Sequence, residues 1–203
     1  MNRTAIIIPT FNQPEHLRVT LESLLLNTRS AYAVYVVDNS DSGYAKAVAA
    51  SVHPMIKVFR PGRNAGWMGG INYGVACTTE KYLMFLNDDV RVLNCDGLWL
   101  QKMLRGFVDH PELGVIVPMS NAVMGYQNFA NRLPARFCVT SCVSGMCLLT
   151  RRDVVNDITP VAENPVNGIL ERTGPLDESL PGGDDIDFSI RVRDAGYQLA
   201  IHR

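Results

Sequence analysis

The chain has 203 residues, 47% of them hydrophobic and 19% charged, with a formal net charge of −1. That composition supplies enough apolar surface for one domain with a sizeable core and excludes a disordered segment. Near-neutral charge, with no long run of Lys or Arg, excludes a nucleic-acid surface of the usual basic kind. In chain order, the first element is the β-branched run TAIII (Thr4 to Ile8), a strand closed by Pro9. A helix follows. Asn12 can cap it, Pro14 suits its first turn, and Leu17, Leu21, Leu24 and Leu25 recur at helical spacing.

YAVYVVD (Tyr32 to Asp38) reads as the second strand, closed by the turn-rich NSDSG. A short helix over Tyr44 to Ser51 leads to MIKVF (Met55 to Phe59), the glycine-rich RPGRNAGWMGG, a helix carrying Met68, Ile71 and Val75, and the strand YLMFL (Tyr82 to Leu86). Strand, helix and strand in repetition predict an α/β fold: a Rossmann-like, mainly parallel central sheet with helices on both faces. The absence of G-x-G-x-x-G after the first strand argues against a dinucleotide-binding protein.

Ligands of such sheets bind at the carboxyl ends of the strands. The residues to read together are therefore Pro9, Thr10 and Asn12; Asp38 and Asn39; Arg63, Asn64 and Gly66; and Asn87, Asp88 and Asp89. Asp88 and Asp89 are adjacent like charges at a strand mouth, where both gain from a divalent cation shared with substrate phosphates. The same N-D-D turn can also simply close a strand. A second acidic cluster lies in GGDDIDFSIRVRDAGY (Gly182 to Tyr197), which predicts a helix from Asp184 that ends at Gly196. Its first-turn carboxylates suit the helix dipole, and one of them facing the sheet edge could serve as a general base.

IIIPTFNQPEHLRVTLESLL, VVDNSDSG, NAGWMGGINYG, LNDDV, GMCLLTRRDV, GPLDE and GGDDIDFSIRVRDAGY stand in the order expected of glycosyltransferase family 2, and from Thr4 to His202 the chain resembles these inverting enzymes of the GT-A fold. The resemblance implies that Pro9, Thr10, Asn12 and Asp38 hold the nucleotide base and ribose, and that Arg63, Asn64 and Gly66 border the nucleotide. It implies that Asp88 contacts the ribose or sugar and Asp89 a divalent metal, manganese or magnesium, although Asn87 replaces the first acid of the family's DXD motif. Asp185 matches the base, with Asp184 as the alternative, and His202 lies near a metal-binding histidine of many relatives. The implied reaction moves a hexosyl or rhamnosyl group from a nucleoside-diphosphate sugar to a hydroxyl of a glycan, a lipid-linked glycan or another acceptor. Uridine and thymidine diphosphate sugars lead as donors, with guanosine diphosphate sugars still open. The competing reading is an impaired GT-A domain that binds a nucleotide-sugar or a partner without turnover. A sugar-nucleotide pyrophosphorylase is disfavoured, because no G-x-G-T-R loop follows Ile8.

Residues 1–203 read as a single domain, with a nucleotide-binding half to about residue 90 and an acceptor and catalytic half from about 91. Family members usually continue beyond the point where this chain stops at Arg203. The five cysteines, Cys77, Cys95, Cys138, Cys142 and Cys147, form no C-x-x-C pair and read as buried thiols in a reducing cytosol. No apolar run approaches the roughly 20 residues of a membrane span, so the expected location is cytoplasmic, with peripheral membrane contact open. Trp67 and Trp99 read as packing residues, Met146 and Cys147 as the floor of the donor pocket. His16, His53 and His110 read as surface or helix-end residues, and Pro118 to Phe137 as a flexible loop on the acceptor side.

Overall fold

The structure is a computed structural model that describes residues 3–93, 96–123, 125–163, 170–172 and 174–203. Cys95 lies outside them. The first half alternates as expected: β1 (Thr4–Thr10), α1 (Pro14–Leu26), β2 (Tyr32–Asp38), α2 (Ala45–Val52), β3 (Lys57–Phe59), α3 (Gly66–Ala76) and β4 (Tyr82–Leu86). The second half adds α4 (Trp99–Asp109), β5 (Leu113–Pro118), β6 (Phe137–Thr140), β7 (Cys147–Arg151), α5 (Arg152–Ile158), the hairpin strands β8 (Val161–Glu163) and β9 (Leu170–Arg172), α6 (Asp184–Asp194) and β10 (Gln198–His202).

Eight strands form one sheet in the order β3-β2-β1-β4-β7-β5-β10-β6. Four of its seven pairings are parallel and three antiparallel. Two strands break the parallel pattern: β7, antiparallel to both β4 and β5, and the edge strand β6, antiparallel to β10. Because β1, β2, β4, β5 and β10 all run one way, their carboxyl ends share one edge.

Period-two alternation assigns each face. In β1, Ala5 and Ile7 pack with Ile71, Val75, Val154, Phe188 and Val192 of α3, α5 and α6. Ile6 and Ile8 pack the other way, with Leu17, Leu21 and Leu24 of α1 and Leu100, Met103 and Phe107 of α4. Every residue of β1 is buried, as expected of a central strand covered on both faces.

Several local expectations change. β1 runs through Pro9 to Thr10; its pairing with β4 ends at Ile7, while that with β2 continues to Thr10 opposite Asp38. Asn12 does not cap α1. It takes a left-handed φ of 54°, which asparagine tolerates, and Gln13 occupies the cap position without a side-chain bond. β3 is two residues shorter at its start than the apolar run suggested. Of the thiols, Cys147 is buried, and burial pushes it up to about 12, but Cys77 and Cys142 are exposed. The segment before β6 carries its own cross-links: Phe129 N–H donates to the Ser120 carbonyl at 3.0 Å, and Asn131 Nδ2 to the Gly125 carbonyl at 2.7 Å. Among the described residues no helix is long and apolar enough to cross a membrane.

Helix α3 lies unusually close to β1. A Cβ at Gly70 would stand 2.8 Å from Pro9 Cβ, and one at Gly74 only 2.4 Å from Ile7 Cγ2. The small residues thus let the start of α3 approach the end of β1. Gly74→Ala is therefore expected to lose about 1–3 kcal/mol by overpacking, although alanine is ordinarily the better helix former. A urea unfolding midpoint equal to that of the unmodified chain would contradict this packing.

Candidate active site

Two strand ends and one helix start are stitched together by Asn39. Its N–H donates to the Thr10 carbonyl at 3.0 Å, its Nδ2 donates to the Gly66 carbonyl at 2.9 Å, and its Oδ1 accepts from the Ala65 N–H at 3.3 Å. Gly66 itself has a φ of +67°, and its N–H is bound by Asn64 Oδ1 at 3.0 Å. The first turn of α3, whose N–H groups have no partner within the helix, is thereby held at the edge where β1 and β2 end. Beside it, Asp38 is only 1% exposed. Its Oδ1 accepts from the Ser40 N–H at 3.0 Å and the Ser40 hydroxyl at 2.5 Å, while its buried Oδ2 has no partner among the described residues.

Asp88 is tied to the same edge. Its Oδ2 accepts from the Thr10 hydroxyl at 2.5 Å, and its main-chain carbonyl accepts from the Thr20 hydroxyl at 2.6 Å. Thr10 Oγ1 also lies 2.5 Å from the Tyr44 hydroxyl, which accepts from the Gln13 N–H at 3.0 Å. An ionised carboxylate only accepts, so the Thr10 proton points to Asp88 and the Tyr44 proton points to Thr10. The chain of bonds has one direction. Burial raises Asp88 above the ordinary carboxylate value, the neighbouring charge of Asp89 adds to this, and the Thr10 hydrogen bond works against it. Asp89 is exposed.

The second acidic cluster reaches this region through Gly145. Gly183, with a φ of 77°, opens α6, and Asp185 in its first turn accepts from the Gly145 N–H at 2.9 Å through Oδ1. Burial raises the Asp185 carboxyl above its ordinary value, and the charge of Asp184 raises it further. Asp184 is half-buried and beside it in the same turn. Asp187, by contrast, is taken up by Arg191 at 2.5 Å. A Cβ at Gly145 would lie 2.5 Å from Asp185 Oδ1 and 3.1 Å from Trp67 Cη2. Trp67 in turn lines a cleft of about 280 Å³ with Pro9, Thr10, Asn64, Gly66 and Asp88.

Thus Pro9, Thr10, Asn64, Gly66 and Asp88 share one cleft, with Asp38 buried at the neighbouring strand end and Asp185 one residue contact away through Trp67. Two candidates lie elsewhere. Arg63 turns to Glu178 at 3.8 Å and lines a separate cavity of about 440 Å³ between α3 and α5. His202 is buried on β10, with its ring 5.0 Å from that of Phe137 and its Nε2 accepting from Arg136 Nε at 3.4 Å. Burial and the positive charges of Arg136 and Lys102 push it down to about 4. Among the described residues no group of three or more His, Cys, Asp or Glu is placed to hold a metal ion.

Sequence reasoning missed Tyr44, Thr20 and Gly145. A tyrosine at a helix start carries no local signal of reaching back to β1, and Gly145 is informative only once Trp67 and Asp185 are seen to converge on it. Trp99 does pack as expected, donating from Nε1 to Thr28 Oγ1 at 2.9 Å.

Compared with protein families, residues 5–159 match the model described as glycosyl transferase family 2. The chain belongs to that family. The match takes in β1 through α5 and hence the cleft; α6 lies beyond it. Among curated relatives, the glycosyltransferase AglE of Haloferax volcanii is 24% identical over 97% of this chain and 63% of its own length. The chain therefore spans less than two thirds of that family member. Solved structures with the same fold include residues 1-349 of S. aureus TarS, with a TM-score of 0.70 at 16% identity, covering 98% of this chain and 57% of that one. The mannosyltransferase PcManGT from Pyrobaculum calidifontis, solved with GDP-Man and Mn2+, has a TM-score of 0.70 at 16% identity and covers 98% and 56%. The fold is the GT-A type of this family.

The relay predicts how Asp88 titrates. Thr10→Val removes the hydroxyl that stabilises the carboxylate, so Asp88 should titrate at higher pH than in the unmodified chain. Tyr44→Phe should move it the same way by less, and should cost about 1 kcal/mol of stability by stranding the Gln13 N–H. Carbon-detected NMR titration of the aspartate side chains reads both shifts.

Proposed function

We propose that this family 2 domain transfers a sugar from a nucleoside-diphosphate sugar to an acceptor hydroxyl with inversion, using Asp185 as general base. The observation that carries this reading is the convergence of the two acidic motifs. Asp88 lines the cleft, Trp67 lines the same cleft, and Trp67 and Asp185 both close on Gly145. The solved relatives support a nucleotide-sugar donor, since TarS has been crystallised with UDP-GlcNAc and PcManGT with GDP-Man.

In this reading the buried, unpartnered Oδ2 of Asp38 accepts from a donor N–H or O–H of the base or ribose. The first N–H groups of α3 face the phosphates. Asp88 and Asp89 are two hard oxygen donors with no third protein ligand grouped beside them, a set that fits a divalent cation completing its shell with substrate phosphates. When bound there, manganese or magnesium would stabilise charge on the departing nucleoside diphosphate. The Thr10 hydroxyl holds Asp88 by Oδ2, so the other oxygen is the one offered to a ligand.

Asp185 is placed to take the proton of the attacking hydroxyl. The Gly145 N–H fixes its rotamer, and half-burial without a cation partner raises it toward the range useful for proton transfer. A single displacement follows: the acceptor oxygen bonds to the anomeric carbon as the bond to the diphosphate oxygen breaks, and the configuration inverts. Arg63 and His202 have no part in this arrangement.

Asp185→Asn should lower kcat by about 10²–10⁴-fold while nucleotide affinity is kept. Loss of binding together with turnover would point to a structural role instead. A protonated Asp185 cannot accept the hydroxyl proton, so kcat/KM should fall as pH drops through its raised pKa. The acid limb should lie above the ordinary aspartate value of about 4 and vanish in Asp185→Asn.

A further inference from the structure

The chain has two tryptophans, and they are held in opposite ways. Trp99 is anchored by a hydrogen bond from Nε1 to Thr28 Oγ1. Trp67 has no such anchor: its Nε1 is buried and has no partner among the described residues. A buried indole N–H ordinarily finds an acceptor, and leaving it without one is unfavourable. Packing alone fixes the ring, so a modest tilt toward an incoming oxygen would be favourable.

Its position is equally telling. The ring shares a cleft with Thr10 and Asp88 and ends at Gly145. Gly145 leaves no space for a side chain because Asp185 Oδ1 and Trp67 Cη2 both close on it. A group lying between the phosphate side of the cleft and Asp185 lies beside this indole. On the reading above, that group is the sugar being transferred.

We propose that Trp67 is a specificity-determining residue that forms the wall of the donor-sugar subsite. It stacks against the carbon–hydrogen face of the hexose and offers Nε1–H to one of its hydroxyl oxygens. The inference rests on the donor-cleft reading and adds to it the residue that distinguishes a nucleotide-sugar from its bare nucleotide. The ring fits a pyranose with one apolar face.

The test uses the full chain carrying Trp99→Phe, in which Trp67 is the sole tryptophan. Its emission is followed on titration with UDP, UDP-GlcNAc, GDP and GDP-mannose in the presence of manganese, with calorimetry on the same samples. A nucleotide-sugar should change the emission well beyond its parent nucleotide. In a Trp67→Leu chain, the affinity advantage of that sugar conjugate should shrink by about fivefold or more, while bare nucleotide binding stays within about twofold. Equal emission changes for nucleotide and conjugate, with calorimetry showing that both bind, would overturn the inference and leave the donor cleft standing. Failure of all four, and of dTDP titrated alongside them, to bind the folded chain would overturn both. The emission arm retains Trp67, so it decides the matter even where Trp67→Leu does not fold.

Discussion

The hydroxyl of Thr10 joins parts of the chain that are far apart in sequence. It sits at the last residue of β1, touches Tyr44 from the start of α2 and donates to Asp88 beyond β4. That bond is available because β1 is the central parallel strand, paired with β2 on one side and β4 on the other, so that their ends meet. A buried carboxylate needs such a donor: without one it would be forced toward the neutral form, which coordinates poorly. Asn39 completes the edge by tying Thr10 to the start of α3.

The two acidic motifs then acquire different characters from their surroundings. Asp88 is partly compensated by a hydroxyl, and Asp89 stays in water. Asp185 has a backbone N–H and a like-charged neighbour but no cationic partner. Environments that separate carboxylates in this way commonly separate their roles, one set holding charge and the other moving a proton. The clash geometry at Gly145 is what keeps the two environments adjacent.

Much of the first half was legible in sequence because its signals are local. Apolar runs such as TAIII and YLMFL, the leucine spacing of α1 and the glycines flanking α6 each declare an element by period or punctuation. β7 was not legible: MCLLT reads equally as a strand or as part of a buried helix, and only tertiary pairing shows it running antiparallel between β4 and β5. Asn12 illustrates a different failure. Its side chain suits a helix cap, but the backbone uses its tolerance of positive φ, and capping chemistry is absent. For the cleft, the strand-end rule brought Thr10, Asp38 and Asp88 together correctly in space. Arg63, an exposed loop residue, instead lies nearest Glu178, a direction that the strand-end rule does not give. His202 was reached by resemblance alone, and on β10 its ring packs on Phe137 beside Arg136 with no carboxylate at its nitrogens.

The central claim is that the ends of β1, β2 and β4, with the start of α3, form a metal-assisted nucleotide site to which Asp185 is brought. Calorimetric titration of UDP, dTDP and GDP, each with and without manganese, on the unmodified chain and on Asp89→Ala tests it most directly. The account predicts that one of the three nucleotides binds in a manganese-dependent way and that this binding is lost in Asp89→Ala while the fold is kept. Binding that is indifferent to both manganese and the substitution, or no binding by a folded chain, would contradict it.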